Sequence, residues 1–332
     1  MRRISTKAAL LSTAFLSFAV AGDAAAQLKG HYIPGFTGLM NGTQSPPGIA
    51  IALPIYFYTT NDIRNDAGDR LGVSPRINVS FVAPVIAWVT NVEVVGGTLG
   101  GSIIPVAFIK SRIEGKSLDV PGSFAFTDIE VQPLQLGWET KDANFVASWG
   151  VFLPTGKWEQ GGRDNAGLGM WSNLFQAGTT VHLDTKQLWN FSTLGSYEIH
   201  THKRGSDIRV GDILTFEGGL SRTFVQLSTK GGAPAPSLIT NVGLVYYTAF
   251  KVTSDQAGVL TPLVENRKDR VFAAGVEGSF IFPKTGWIVG LRAEPEFGAR
   301  NRTQGWTFML TTAYQLKSPP KLFRKPAAAP LP

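Results

Sequence analysis

From residue 48 onward the chain keeps a two-residue rhythm. In FQAGTTVHLDT, Phe175, Ala177, Thr179, Val181 and Leu183 alternate with Gln176, Gly178, Thr180, His182 and Asp184. After KQ, the stretch LWNFSTLGSYEIH sets Trp189, Phe191, Thr193, Tyr197 and Ile199 against Asn190, Ser192, Ser196, Glu198 and His200. Successive side chains of a strand point to opposite faces, so the two stretches predict a β-hairpin with one apolar and one polar face. Near the C-terminus, GWTFMLTTAYQL repeats the pattern with Trp306, Phe308, Leu310, Tyr314 and Leu316. Beyond the N-terminal leader no helical period interrupts the alternation. The pattern predicts about twelve strands, near 48–60, 76–95, 100–113, 124–140, 143–153, 174–184, 189–201, 208–228, 238–252, 270–282, 286–298 and 305–316.

The connections between these strands alternate in kind. Those at 61–75, 114–123, 154–173, 202–207, 253–269 and 299–304 are mostly long, polar and glycine-rich. Those at 96–99, 141–142, 185–188, 229–237 and 283–285 are shorter. Long loops on one side and tight turns on the other, with an even strand number, predict an all-β chain folded as a transmembrane, antiparallel, up-and-down barrel. Tyr56, Phe57, Tyr58, Trp88, Phe108, Trp138, Trp149, Phe152, Trp171, Trp189, Trp287, Trp306 and Tyr314 are then expected near strand ends and on the lipid face, as aromatic girdles.

The first 26 residues add export. Arg2, Arg3 and Lys7 precede an apolar run through Ala21, and Ala24 and Ala26 stand before Gln27. This predicts a secretory signal peptide cleaved after Ala26. Its apolar run falls short of the roughly 20 residues of a spanning helix, and no later window is long and apolar enough to cross as one. The organisation expected is a signal peptide over 1–26, a periplasmic arm over 27–47, a barrel over 48–316 and a Pro/Lys-rich disordered tail over 317–332, whose prolines and charges resist packing. The chain has no cysteine, which excludes disulfides, thiolate metal sites and cysteine nucleophiles. The formal charge of +7 owes four positive charges to Lys317, Lys321, Arg324 and Lys325, and the signal region is basic as well. The body is close to neutral and carries no nucleic-acid footprint.

GFTGLMNGTQSPPGIAIALPIYFYTTNDIRNDAGD, TDIEVQPLQLGW, FLPTGKWEQGGRDNAGLGMWSNLFQAGTTVHLD, YEIHTHKRGSDIRVGD and EFGARNRTQGW occur in that order. Together they resemble the outer-membrane proteins called the meta-pathway of phenol degradation family, over roughly residues 35–316. The resemblance implies a barrel in the outer membrane of a Gram-negative cell, often labelled a transporter, and a link to aromatic catabolism. Two departures stand out: the chain runs on past Leu316 as KSPPKLFRKPAAAPLP, and IHTHKRGSD replaces a stretch the family tends to fill with Asn and Thr.

Candidate chemistry is sparse. In GLRAEPEFGARN, Arg292, Glu294 and Glu296 alternate with Leu291, Ala293, Pro295 and Phe297. In a barrel these charges line the lumen together with Glu277, His182, Asp184, Glu198 and His200, and they are the candidate transport residues. Pro295 removes a ladder hydrogen bond, which predicts a bulge there. His182, His200 and His202 could converge across their hairpin, but water-facing rim histidines are the expectation, with no metal and no cofactor. Ser196 with His200 suggests a nucleophile and base, yet no motif supports catalysis, and no enzyme is expected. GGRDNAGLG is a glycine-rich loop without the Lys-Ser/Thr of a phosphate cradle. The function expected is passive uptake of small hydrophobic or aromatic compounds, with outer-membrane lipids, those solutes and the outer-membrane assembly machinery as partners. A lipid- or ester-acting enzyme and a filled structural barrel are the alternatives. A barrel of about 12 strands lies between small filled barrels and open porins, so strand number alone does not choose.

Overall fold

The computed structural model describes residues 30–316 apart from 73–74, 116–117, 123, 161, 163–164, 230–233 and 258–267. The expected signal peptide and C-terminal tail lie outside the described residues. Twelve antiparallel strands follow in order: β1 (Gly48–Thr60), β2 (Arg76–Val82 and Val85–Val94), β3 (Gly97–Ile104 and Phe108–Gly115) and β4 (Leu118–Pro121, Ala125–Phe126 and Ile129–Glu139). The rest are β5 (Ala143–Leu153), β6 (Ser172–His182), β7 (Trp189–His200), β8 (Ile213–Ser228), β9 (Ala235–Lys251), β10 (Arg270–Phe282), β11 (Trp287–Arg300) and β12 (Trp306–Gln315). Each strand pairs with its neighbours in sequence, and β12 returns to β1 from Ala50↔Gln315 to Thr59↔Trp306, closing the barrel. Closure leaves no sheet edge in a medium that offers backbone groups no water.

Sidedness follows from the alternation. Strand β7 reads exposed then buried along nearly its whole length, with Trp189 and Phe191 outside and Asn190, Ser192, Ser196, Glu198 and His200 inside. Ile51, Leu53, Ile55 and Phe57 of β1, Leu220 of β8, and Leu291 and Phe297 of β11 stand exposed on the outer surface. The shortest strand has 10 residues and the longest 17, enough for the roughly 9–11 tilted residues that cross a bilayer. Trp149, Trp171, Trp189, Trp287 and Trp306 are on the outside as expected of girdles.

The wall is interrupted along a seam through β2, β3 and β4, with a proline at the breaks in β2 and β3. Strand β2 breaks at Ala83–Pro84, β3 at Pro105–Ala107, and β4 at Thr127–Asp128. Proline has no N–H for the ladder, and the three breaks line up because Val82 pairs with Phe108 and Phe108 with Phe126. Hydrogen bonds from Thr127 N to Ala107 O (3.0 Å) and from Ala83 N to Pro54 O (3.2 Å) bridge the seam.

Four sequence expectations are corrected. Tyr56 and Tyr58 face inward, 2% and 1% exposed, because β1 is apolar on both faces and its alternation does not mark the lipid side. The connection expected as a long loop over 114–123 is instead a tall hairpin continuing β3 and β4, with Gly115 paired to Leu118. The bulge expected at Pro295 falls beside it. Pro295 still pairs with Trp306, and the register to β10 slips between Arg270 and Phe272, opposite Gly298, whose φ of +61° is one that glycine adopts freely. Finally, residues 30–47 do not form an arm outside the barrel. They run through it, from the long-loop end at His31 to the short-turn end at Pro47, where β1 begins.

Candidate functional site

The inward segment is held by one wall and merely packed by the other. At its centre the Glu217 carboxylate on β8 accepts from Gly35 N (2.6 Å) and Thr37 N (3.0 Å), and also from the Tyr32 and Thr37 hydroxyls. From the same wall the Arg292 guanidinium on β11 donates to Thr37 O (2.6 Å) and to Gly35 O, and is ion-paired with Glu277 at 2.8 Å. Glu277 in turn accepts from Leu39 N at 3.2 Å. Glu217, at 0% exposure, is a charge buried away from water, a position tolerated only with partners of this kind. Glu296 on β11 accepts from the Tyr58 and Tyr247 hydroxyls, both at 2.9 Å, and from Gly305 N at 2.8 Å.

These contacts explain why the segment reads GFTG at 35–38. Gly35 has a φ of +78°, and a Cβ there would stand 2.9 Å from Glu294 Oε2 and 2.8 Å from Tyr247. A Cβ on Gly38 would overlap the Arg292 guanidinium and the Glu277 carboxylate. Only glycine lets the backbone lie flat on this charged wall. Toward the short turns the grip becomes neutral: Met40 N donates to Ser192 Oγ (3.1 Å), Asn144 Nδ2 to Thr43 Oγ1 (3.2 Å) and Gln44 Nε2 to Gln135 Oε1 (3.2 Å).

At the long-loop end, His31 sits in a polar cluster. Its Nδ1 is 2.7 Å from Ser172 Oγ, its Nε2 is 2.9 Å from Asp128 Oδ2, and its backbone N donates to Glu198 Oε1 at 2.6 Å. His200 Nδ1 meets the same Ser172 hydroxyl at 2.7 Å. Phe152 stacks on the His31 ring at 4.7 Å. Asp128 also accepts from Gly156 N (2.8 Å) and Leu168 N (2.7 Å), so the PTG and AGLG stretches fold over the barrel mouth and fix the carboxylate that holds His31. Ion pairs of Lys251 with Asp255 (2.8 Å) and of Arg302 with Asp269 (3.4 Å) tie further loops at the same rim. Beside them the Lys203 ammonium lies 4.5 Å from the Trp158 ring centre; burial pulls it down to about 8, against the attraction of Asp255 and Asp128.

The opposite wall is apolar. Ile33 of the segment joins Tyr56, Tyr58, Ile77, Val79, Phe81, Ala83, Ile104, Ala107, Ile113 and Met309, with Phe36 packed against them. Phe36 meets Phe81 edge-on at 6.4 Å. Two cavities lie in series along this side. One of about 50 Å³ is bounded by His31, Phe36, Phe81, Ile104, Asp128 and Glu130. The other, of about 240 Å³, is lined by Gln44, Pro46, Ala87, Gln132, Gln135 and Gln315 among others.

Of the residues singled out from sequence, Arg292, Glu294, Glu296, Glu277, Glu198 and His200 point into the barrel, the first four around the middle of the segment and the last two at its far end. His182 and Asp184 are elsewhere. His182 is at the short-turn end, 2.7 Å from Asn190 Oδ1, and Asp184 lies in the turn itself, accepting from Trp189 N at 2.6 Å. The expected approach of His182 to His200 is thus corrected: antiparallel register pairs His182 with Asn190 and Ser172 with His200, leaving the histidines at opposite ends. The Ser196–His200 pair is absent too, since Ser196 Oγ accepts from Gln176 Nε2 at 2.9 Å. The side chain that does meet His200 is Ser172, which in line with His31 and Asp128 mimics a nucleophile, base and orienting carboxylate. Ser172 is 0% exposed, and its hydrogen bond to His31 ties the segment to the wall. Sequence reading missed His31, Asp128, Ser172 and Glu217. The available signal was the isolated Glu217 in LTFEGGL, a charge on the inward period of an otherwise apolar strand.

A closed barrel with an apolar exterior, polar interior and loops of unequal length at its two ends defines an outer-membrane type of β-barrel. The fold is shared by the COG4313 outer membrane channel from Pseudomonas putida F1, with a TM-score of 0.66 and 13% identity over 83% of this chain and 98% of that one. The beta domain of the Bordetella autotransporter BrkA aligns with a TM-score of 0.45 and 11% identity, over 81% of this chain and all of that one. Residues 60–312 match the family model described as "Putative MetA-pathway of phenol degradation", and the chain belongs to this family. Among curated proteins, none matches the sequence.

Proposed function

We propose that this protein is an outer-membrane channel for passive passage of small hydrophobic or aromatic compounds, regulated by the segment 30–47 inside it. The observation that carries this reading is the asymmetric lumen. The segment is latched to the charged wall, while on its other side two cavities follow one another down β3 and β4, from Ile104 and Glu130 to Ser102 and Gln132. A cavity of about 240 Å³ is below the usual range for drug-sized ligands and suits a single-ring solute, with glutamine amides to orient a hydroxyl. The family's link to phenol degradation supports the same class of solute. In this reading transport is passive and runs down a gradient. The outer membrane is the matching location.

The latches themselves favour a second reading, a closed structural barrel. Uptake of a phenol-sized aromatic solute by liposomes carrying the protein, corrected for protein-free vesicles, separates the two. The channel reading expects uptake above a polyol of equal size; impermeability to ions and to the aromatic solute leaves the structural barrel.

A further inference from the structure

The cluster at the long-loop end has a chemistry that passage does not use. His31 Nδ1 and His200 Nδ1 stand 3.5 and 3.6 Å from the same Glu198 oxygen. All three side chains are at most 4% exposed. These two separations are just above the ~3.4 Å between ligands that tetrahedral zinc with bonds of ~2.1 Å imposes, and all three ligand atoms lie within 4.8 Å of one another. Ser172 Oγ is hydrogen-bonded to both imidazole nitrogens at 2.7 Å, closer than two ligands of one ion stand, and so aims both nitrogens at one point. Asp128 takes the far nitrogen of His31, the carboxylate–histidine arrangement that orients a metal-bound imidazole. Half-buried Glu130 lines the adjoining cavity, so three carboxylates, Asp128, Glu130 and Glu198, stand around the two histidines.

We propose that His31, Glu198 and His200 form a binding site for a divalent cation of the zinc class, with Ser172 and Asp128 orienting the imidazoles. Two imidazoles and one carboxylate suit zinc over magnesium or calcium, which prefer oxygen alone. Two ligands come from β7 and one from the lumenal segment, so the ion staples the segment to the wall. The site is independent of which solute passes.

The test uses the folded full-length barrel, stripped with chelator and titrated with zinc through a metal buffer, with cobalt as the spectroscopic probe. The expected result is one equivalent of either ion, a tetrahedral cobalt spectrum and, in Glu217→Ala, where the latch is removed, a segment that zinc protects from protease. His31→Gln, on the segment and outside every strand, and His200→Gln should each weaken binding at least tenfold, Asp128→Asn about tenfold, and His182→Gln not at all. Heat-modifiable gel migration checks folding, and His31→Gln keeps the test open if a strand variant fails to fold. Substoichiometric uptake by folded wild type, or unchanged affinity in His31→Gln, overturns the site. Stoichiometric uptake without protection overturns the staple.

Discussion

The two walls of the lumen hold the same segment by different physics. On the side of β8, β10 and β11, Glu217 and Arg292 bind backbone atoms of Gly35 and Thr37 through directional, charge-assisted hydrogen bonds. On the side of β1, β2 and β3, Ile33 and Phe36 pack against Phe81, Ile77 and Ile104 with no direction preferred. Hydrogen bonds to charged groups contribute about 1.5–3 kcal/mol each, and a partly buried Phe about 1–2 kcal/mol at 25 cal/mol per Å². The charged wall therefore decides the depth and register of the segment. The apolar wall tolerates imperfect fit, and there the cavities lie. Under the proposed channel function, retention and passage fall to opposite faces of one segment.

The comparison breaks most sharply at Glu217. Glu217→Ala removes the acceptor of two backbone N–H groups and two hydroxyls at once and should weaken docking of the segment by about 3–5 kcal/mol. Limited proteolysis should then cut within residues 30–47 while the barrel stays heat-modifiable; continued protection would mean the apolar wall suffices. Next comes neutralisation of Arg292, Glu294 and Glu296 by glutamine. It removes the Arg292 ion pair and the charge on its bonds to Gly35 and Thr37, an effect of about 2–3 kcal/mol, and should change both ion preference and current noise in planar bilayers. A change of ion preference without added noise would show a field effect that leaves the segment docked. Phe36→Ala is milder on retention, about 1–2 kcal/mol, and acts on passage: the segment stays protected while aromatic uptake rises through the enlarged cavity.

The smallest effect is at the rim, away from both walls. Burial lowers Lys203 to about 8, so its charged form is penalised in place and that penalty is fully present below about pH 8. As pH rises from about 8 toward the ordinary lysine value, the folded loop sheds its proton before an unfolded one does, and its stability increases. Trp158 fluorescence should titrate with a midpoint near 8 in wild type and stay flat in Lys203→Met; equal curves would reject the contact.

How far the sequence carried these conclusions depended on period. Strands β6 and β7 were legible to within two residues, because Phe175 or Trp189 outside and Ser192 or Glu198 inside leave one choice of face, whereas Phe152 of β5, expected on the lipid side, stacks inside on His31. Strand β1 fixed its limits but not its sides, since GIAIALPIYFYTT is apolar on both, and Tyr56 and Tyr58 went to the wrong face. The inward charges Arg292, Glu294 and Glu296 were readable because lipid excludes them. Their partner was not. Nothing local in GFTGLMNGTQSPP says where it docks: its bonds to Glu217 span about 180 residues, and its glycines read equally as a loose arm. The His31–Ser172–His200 cluster was hidden for the same reason, as it joins segments 28 and 141 residues apart.

The central claim is that residues 30–47 occupy the lumen and set its permeability. Single-channel conductance in planar bilayers, compared between wild type and a barrel lacking residues 30–44, tests it most directly. A twelve-strand barrel freed of its segment should conduct about tenfold more than wild type. An unchanged conductance in a deletion variant that still shows heat-modifiable folding would contradict the account.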